Sequence, residues 1–498
     1  MGIVLRNLIL ILSLGLFIIG LLFSDPYVLL ISVLIIILQN FWYGFEKFYE
    51  RIIFITFNAT FFIFLLGRII VSEYFNYNVN NSNLFGLAFF DAEVVNHILI
   101  SLYISLLSLF IGFHFVQKFF SQNSTVKEKI KYKTGYLEAF RIFSKYFFYF
   151  TVIFRLMYLY EAISVSNTEG YYETFATFQS QMPLIFIILS NMYDVAFFAF
   201  LATKPRKKES VLPIGLYIIE GIFSLLSGRR SGFMLNLLII FIYFCLRNKD
   251  NKENIYKSAF KWLPKKDKWV GKKEIIATIL ALPLIMVLLN MIGYLRAGSE
   301  LTNVSLINSL YEFFYSQGIS VNVIGFAKTL ADTIPEGKLY SIGPIIEFFD
   351  NKIIGHYIFG QPIFIGQTVE RALNGYLFSH TISYLIMPRL YLMGIGYGSS
   401  YIAELYTDFG YIGIIIGSII YGILISKFTS WFYSNNILIV LLILLMTRAL
   451  LFTPRAGYTS FLVSTFSLPK IAALIIIFIG AYIVREIIIK KRERREFF

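Results

Sequence analysis

Apolar runs recur along nearly the whole chain, each close to 20 residues long and separated by polar connections. A helix of that length crosses a hydrocarbon core about 30 Å thick. With no water in that layer, every backbone N–H and C=O must be satisfied within its own segment, so the runs are expected to be helices. The pattern predicts twelve spans, at 5–24, 26–43, 52–72, 95–117, 142–163, 183–203, 211–227, 232–247, 274–294, 409–427, 436–453 and 470–489. The expected fold class is therefore all-α, a polytopic membrane helical bundle of about 12 transmembrane helices forming one integral membrane domain over 1–498. A large outer loop, 297–406, is inserted between the ninth and tenth spans. Its apolar stretches at 304–330, 341–365 and 381–395 suggest amphipathic or re-entrant helices on the membrane surface. The first run resembles a signal peptide, but no small-residue cleavage site follows it, so it is expected to be a retained first helix.

Composition agrees. Of the 498 residues 57% are hydrophobic and 15% charged, against about 25% charged in soluble domains. The single cysteine, Cys245, excludes disulfides and cysteine-based metal sites. Basic residues set the expected orientation, because cytoplasmic connections carry the excess of Lys and Arg. Lys47 and Arg51, the lysines from Lys118 to Lys145, the Lys204–Lys208 cluster, the 247–273 connection and the Lys490–Arg495 tail all fall on one side. The connections between spans 1 and 2, 3 and 4, and 5 and 6 hold no Lys or Arg. Both termini are thus expected in the cytoplasm, with the lysine runs contacting anionic membrane lipids rather than nucleic acid.

Two outer connections break the rule. The link between spans 7 and 8 is the short turn Ser227-Gly228-Arg229-Arg230-Ser231-Gly232, and the large loop carries Arg371 and Arg389. Arginine at helix-end depth is costly unless paired, and a guanidinium fork matches phosphate oxygens two at a time. Arg229, Arg230, Arg296 and Arg371 are the candidates for holding a lipid phosphate or diphosphate. Arg68, near Glu73, and Arg155, near Glu161, are expected to pair with those local carboxylates; Arg389 and Arg455 are open between the two roles.

Acid–base candidates lie in and just after the loop. His380 follows Arg371 by nine residues, and only His has an ordinary pKa near neutrality. His356 is a weaker candidate, and His97 and His114 read as packing residues. The segment Gly394-Ile395-Gly396-Tyr397-Gly398-Ser399-Ser400-Tyr401 is a flexible turn opening a helix on which Glu404 and Asp408, four apart, share a face. They could orient a base, bind sugar hydroxyls, pair with the arginines, or simply complement the helix dipole. The turn lacks a P-loop lysine and a preceding strand, so it is not a nucleotide loop. No HExxH or DxD motif occurs, so neither a metal nor another cofactor is implied.

The Ser-Gly-Arg-Arg turn at 227–230, the large outer loop and the Gly-Ser-Ser-Tyr-Ile-Ala-Glu segment at 398–404 together resemble the O-antigen and capsule repeat-unit polymerases, the Wzy-type family. That resemblance implies a GT-C-like, metal-independent glycosyltransferase in the cytoplasmic (inner) membrane of a bacterium. Such an enzyme moves a growing glycan from polyprenyl diphosphate to a sugar hydroxyl of the next lipid-linked unit, on the outer side. Its partners would be polyprenyl-diphosphate-linked oligosaccharide, membrane lipids, a chain-length regulator and a flippase. The arginines would neutralise the diphosphate leaving group, His380 or Glu404 would act as catalytic base, and Tyr397, Tyr401 and Asp408 would contact sugar. An O-antigen ligase or another polyprenyl-phosphate glycosyltransferase shares these features and stays open. A flippase or transporter should show repeated halves and midplane ionisable residues, which the outer arginines and single long loop argue against; a sensor or structural protein would not need the Arg-Arg turn.

Overall fold

The computed structural model describes residues 2–77, 84–88, 90–119, 135–169, 178–228, 230–255, 269–296, 305–352, 355–360, 364 and 366–496. Every regular element among them is helical. Each of the twelve expected spans falls on helix. Ten of these helices are long and apolar enough to cross a membrane, from Val4–Phe23 to Leu468–Lys490. The ninth expected span lies on Lys272–Arg296, and the eleventh on the shorter helix Ile437–Leu450.

The bundle has a core of Leu, Ile, Val and Phe, but unlike a soluble protein it also exposes large apolar side chains and buries small polar ones. Ser13, Ser32, Asn40, Asn58, Ser101 and Ser105 are buried, while Ile11, Leu22, Leu38 and Ile412 are exposed. Apolar side chains on the outside and small polar ones between helices suit a hydrocarbon solvent, where helices associate through close packing and hydrogen bonds. The first turn between spans shows the local chemistry. Asp25 accepts from the N–H groups of Tyr27 and Val28 at 2.8 and 3.3 Å, and Pro26 occupies the first helical position, where its missing N–H costs nothing.

The chain divides into two compact units. The first comprises Met1–Ser121, Ile276–Lys427 and Leu450–Val463; the second comprises Gln122–Ile275, Phe428–Ala449 and Ser464–Phe498. In the first, the helices Ala92–Phe119 and Tyr401–Trp431 approach through paired glycines. A Cβ on Gly112 would stand 2.2 Å from the Ile419 carbonyl oxygen, and one on Gly422 would stand 2.2 Å from that of Leu109. Ser105 then reaches the Ser418 hydroxyl at 3.0 Å and the Tyr401 hydroxyl at 2.6 Å.

Tyr401–Trp431 is broken inside. Phe409 leaves helical geometry and Gly410 takes φ 60° and ψ −151°, a region essentially reserved for glycine. The tenth span was expected to begin at 409. The structure places a separate helical piece, Tyr401 to Asp408, ahead of that break.

The loop region of the first unit is itself helical, with Leu306–Gln317, Val321–Thr329, Gly343–Lys352, Gly355–Phe359, Val369–Asn374, Phe378–Ile386 and Pro388–Leu392 in order. Arg68 fixes its first helix to the third span. Its Nε donates to the Gly86 carbonyl at 2.6 Å, its Nη2 to the Tyr315 hydroxyl at 2.8 Å, and the guanidinium lies 3.7 Å from the Tyr315 ring centroid. The expected partner Glu73 is not the one used.

The second unit packs Tyr136–Glu169 against Leu468–Glu496 and against the pair Leu184–Ser190 and Tyr193–Ala202, with Lys207–Leu226 beside Arg230–Ile255. Here too the expected local pairing gives way to a distant one. Arg155 Nε donates to Glu220 Oε1 at 2.9 Å, whereas Glu161 accepts from the Gln181 N–H at 2.6 Å and from the Ser180 hydroxyl.

Candidate functional site

Within the first unit, the expected site residues fall into two neighbouring groups. One surrounds Arg371 and His380. Thr368 caps the short helix Val369–Asn374, accepting from the Arg371 N–H at 3.1 Å. The Arg371 side chain pairs with Glu347 at 2.6 Å and donates to the Gly366 carbonyl at 2.9 Å. His380, in the first turn of Phe378–Ile386, places Nδ1 2.9 Å from the Tyr391 hydroxyl. That hydroxyl donates to the Thr368 carbonyl at 3.3 Å.

The proton count then fixes the imidazole. A phenol has one proton, and Tyr391 gives its own to Thr368. His380 must therefore carry its proton on Nδ1 and donate it to Tyr391, which leaves Nε2 as an acceptor. Burial, and secondarily the Arg371 charge, lower the His380 pKa from 6.5 to about 4. The ring is consequently neutral at physiological pH, with a free lone pair on Nε2.

Three buried polar atoms on this segment and its partner lack a hydrogen bond in the structure: Arg371 Nε, Glu347 Oε2 and Gln367 Oε1. Buried groups of this kind are ordinarily satisfied by water or a polar ligand. Two of them belong to the Arg371–Glu347 ion pair itself, and Gln367 adjoins Gly366, whose carbonyl Arg371 holds.

The second group holds Glu404 and Asp408, and its geometry is architectural. Glu404 is 2% exposed. Its Oε1 accepts from the Ser399 hydroxyl at 2.7 Å and its Oε2 from the Tyr458 N–H at 2.8 Å. Asp408 accepts from the N–H groups of Tyr340 and Ser341 at 2.9 and 2.7 Å. The Thr459 hydroxyl closes the circle by donating to the Ser341 carbonyl at 2.8 Å. The acid pair thus joins three stretches, 340–341, 399–408 and 457–459. Tyr401 is fully buried with its hydroxyl on Ser105, so it has no ring face for a sugar. Glu404 and Tyr401 are enclosed and Asp408 is half-buried, and each already serves the fold through these hydrogen bonds. Tyr397 is partly exposed, with its ring 5.4 Å from Phe326 and its N–H on the Ser383 hydroxyl at 2.8 Å.

The two groups touch through Tyr340, whose ring meets Phe378 edge-on at 5.2 Å. Arg455 donates to Gln317 at 2.8 Å, and Arg389 is exposed. The remaining candidates are divided. Arg296 ends the helix Lys272–Arg296 of the first unit. Arg230 begins Arg230–Ile255 of the second, partly exposed. Arg229 lies outside the described residues.

Sequence reasoning passed over a set of charges inside the spans of the second unit. Glu220, already paired with Arg155, accepts on Oε2 from Asn236 Nδ2 at 2.9 Å, and Asn236 Oδ1 accepts from Arg448 Nε at 2.9 Å. Lys470 pairs with Asp194 at 2.6 Å. The signal was available, since ionisable residues within apolar runs are rare and mark function by default.

No group of three or more His, Cys, Asp or Glu suited to a metal occurs among the described residues. No curated protein matches the chain, and no solved structure does. A family model does: the model described as O-antigen polysaccharide polymerase Wzy matches residues 5–490. A match over nearly the whole length, on a multi-pass helical bundle, makes this chain a member of the O-antigen polysaccharide polymerase Wzy family.

Proposed function

We propose that the protein transfers a growing glycan from polyprenyl diphosphate to a sugar hydroxyl of the next lipid-linked repeat unit, at the outer face of a bacterial cytoplasmic membrane. Membership of the polymerase family over residues 5–490 is the observation that carries the reading. The arrangement around His380 supplies the chemistry. The acceptor hydroxyl oxygen bonds to the anomeric carbon, and that carbon's bond to the diphosphate oxygen breaks. The hydroxyl proton passes to His380 Nε2, and the polyprenyl diphosphate departs as an anion. An imidazole that is neutral at physiological pH has a lone pair with which to take up that proton as the new bond forms. Arg371, neutralised by Glu347, works with Gln367 and Tyr397 on sugar hydroxyls. A diphosphate is already a good leaving group and needs its charge neutralised more than it needs a proton. We assign that task to Arg229, Arg230 and Arg296, cations whose forks suit phosphate. The charge map supports cytoplasmic termini, which puts the 227–232 turn outside.

The test is incubation of the purified protein in nanodiscs with a defined lipid-diphosphate repeat unit and no nucleotide sugar. A ladder of lengthening products is expected. His380→Gln should abolish it while leaving substrate binding intact. If single repeat units cross the membrane in proteoliposomes but never lengthen, the protein is a transporter and the reading is wrong.

A further inference from the structure

The three cations inside the second unit's polar network are unequally matched. Arg155 has Glu220 at 2.9 Å and Lys470 has Asp194 at 2.6 Å. Arg448 has no carboxylate within 4.0 Å among the described residues; Asn236 takes its Nε, and Asn236 is itself held by Glu220. Asp194 and Glu220 both act on Arg448 across the network, but three cations face two carboxylates here, so one positive charge stays in excess. An excess positive charge two residues before the end of an apolar helix is an expensive arrangement unless a further anion completes it.

The backbone says where this cation lies within the unit. Lys207–Leu226 ends, and Arg230–Ile255 begins, at the same end of their helical hairpin. Glu220 and Asn236 each stand six residues from that end, about 9 Å along a helix axis. The same unit carries an open groove of about 370 Å³ lined by Leu156, Met157, Tyr160, Glu161, Met182 and Phe223. Leu156 directly follows Arg155, and Phe223 lies one helical turn from Glu220. The groove is on the two helices that carry Arg155 and Glu220, members of the network that holds Arg448 from Ile437–Leu450. An excess cation and an apolar groove joined by one network match a ligand with an anionic head and a hydrocarbon chain.

We propose that Arg448 is a binding residue for the diphosphate of the polyprenyl-linked substrate, and that the groove beside Arg155 takes the first isoprene units of its chain. This rests on the polymerase reading and adds to it a head-group contact within an apolar run. Asn236 and Glu220 act as positioning residues, aiming the fork that Arg448 offers to phosphate oxygens.

Binding of undecaprenyl diphosphate to the full-length protein in detergent micelles tests it, with undecaprenol and inorganic pyrophosphate as competitors. Loss of one bidentate contact in Arg448→Gln should weaken binding about tenfold or more, with undecaprenol binding unchanged. Should that variant fail to fold, Arg448→Lys keeps the charge without the fork and should weaken binding by less. Met157→Trp, which fills the groove, should weaken the lipid diphosphate but not pyrophosphate. Displacement by pyrophosphate assigns the grip to the diphosphate itself; displacement by undecaprenol alone overturns the head-group contact. If the unaltered protein binds the lipid diphosphate and both Arg448 variants bind it within twofold of that affinity, this proposal fails and the polymerase reading stands. If the unaltered protein does not bind it at all, both fall.

Discussion

Replacing Gly112 by alanine should loosen the helix pair on which the acid-bearing segment rests. The added Cβ would meet the Ile419 carbonyl oxygen at 2.2 Å, well inside the 3.4 Å at which ordinary contact begins. The obstacle is backbone on both sides, so no rotamer change relieves it; the helices must part by about an ångström or bend. Ser105, two turns away on the same helix, would then lose its reach to Ser418 and Tyr401. Overpacking of this kind costs roughly 1–3 kcal/mol, measurable by SDS titration in mixed micelles. Gly422→Ala, whose Cβ meets the Leu109 oxygen at 2.2 Å, should cost about the same. Because either substitution opens the same seam, the double variant should fall short of the sum of the two, the signature of coupled sites. Gly215→Ala, with nothing within 4 Å of the added atom, is the control and should be neutral or mildly stabilising. If Gly112→Ala unfolds within about 0.5 kcal/mol of the parent, the close approach of these helices is not what holds the segment.

Glu404 separates a structural from a chemical role. Glu404→Gln keeps an acceptor for the Tyr458 N–H and should retain both stability and polymer growth, whereas Glu404→Ala strands two buried donors and should cost about 2–4 kcal/mol. Loss of activity in Glu404→Gln at unchanged stability would restore the carboxylate as a reacting group. Arg371→Met should cost about 2 kcal/mol, less than for a fully enclosed pair because Arg371 is 18% exposed, and adding Glu347→Leu should recover much of it in the same titration. His380 has a folded-state pKa of about 4 against 6.5 unfolded, so its neutral form belongs to the fold. Its contribution is complete above pH 6.5 and is lost as pH falls from 6.5 toward about 4, the unfolded chain taking up the proton first. Stability measured across that window should fall less steeply in His380→Gln than in the parent; equal slopes would contradict the assignment.

The architecture was legible because hydrocarbon allows so few answers: every apolar run of span length is a helix. Partners were not legible. Arg155 meets Glu220 rather than Glu161, and Arg68 meets Tyr315, 247 residues away, rather than Glu73. Inside a bundle, a long polar side chain is satisfied by whichever helix packs against it, and sequence proximity carries little information about that. The same blindness hid Asn236 and Arg448, which mean little until their helices are adjacent. Glu404 and Asp408 were correctly placed on one face of a helix start, but that face proved to be turned toward other backbone. His380 could be singled out from residue type alone; its tautomer required knowing that Tyr391 gives its proton elsewhere.

The break at Phe409 and Gly410 has a consequence for how this membrane helix tolerates its surroundings. Tilt and depth of a span respond to bilayer thickness. A continuous rod would pass every such adjustment directly to the carboxylates at its tip. With the axis interrupted between Asp408 and Tyr411, the tip can remain clamped to 340–341 and 457–459 while the length below follows the lipid. A library randomised at position 410 and selected for surface polymer should return glycine alone, and selection should stay equally strict in hosts with thicker and thinner membranes.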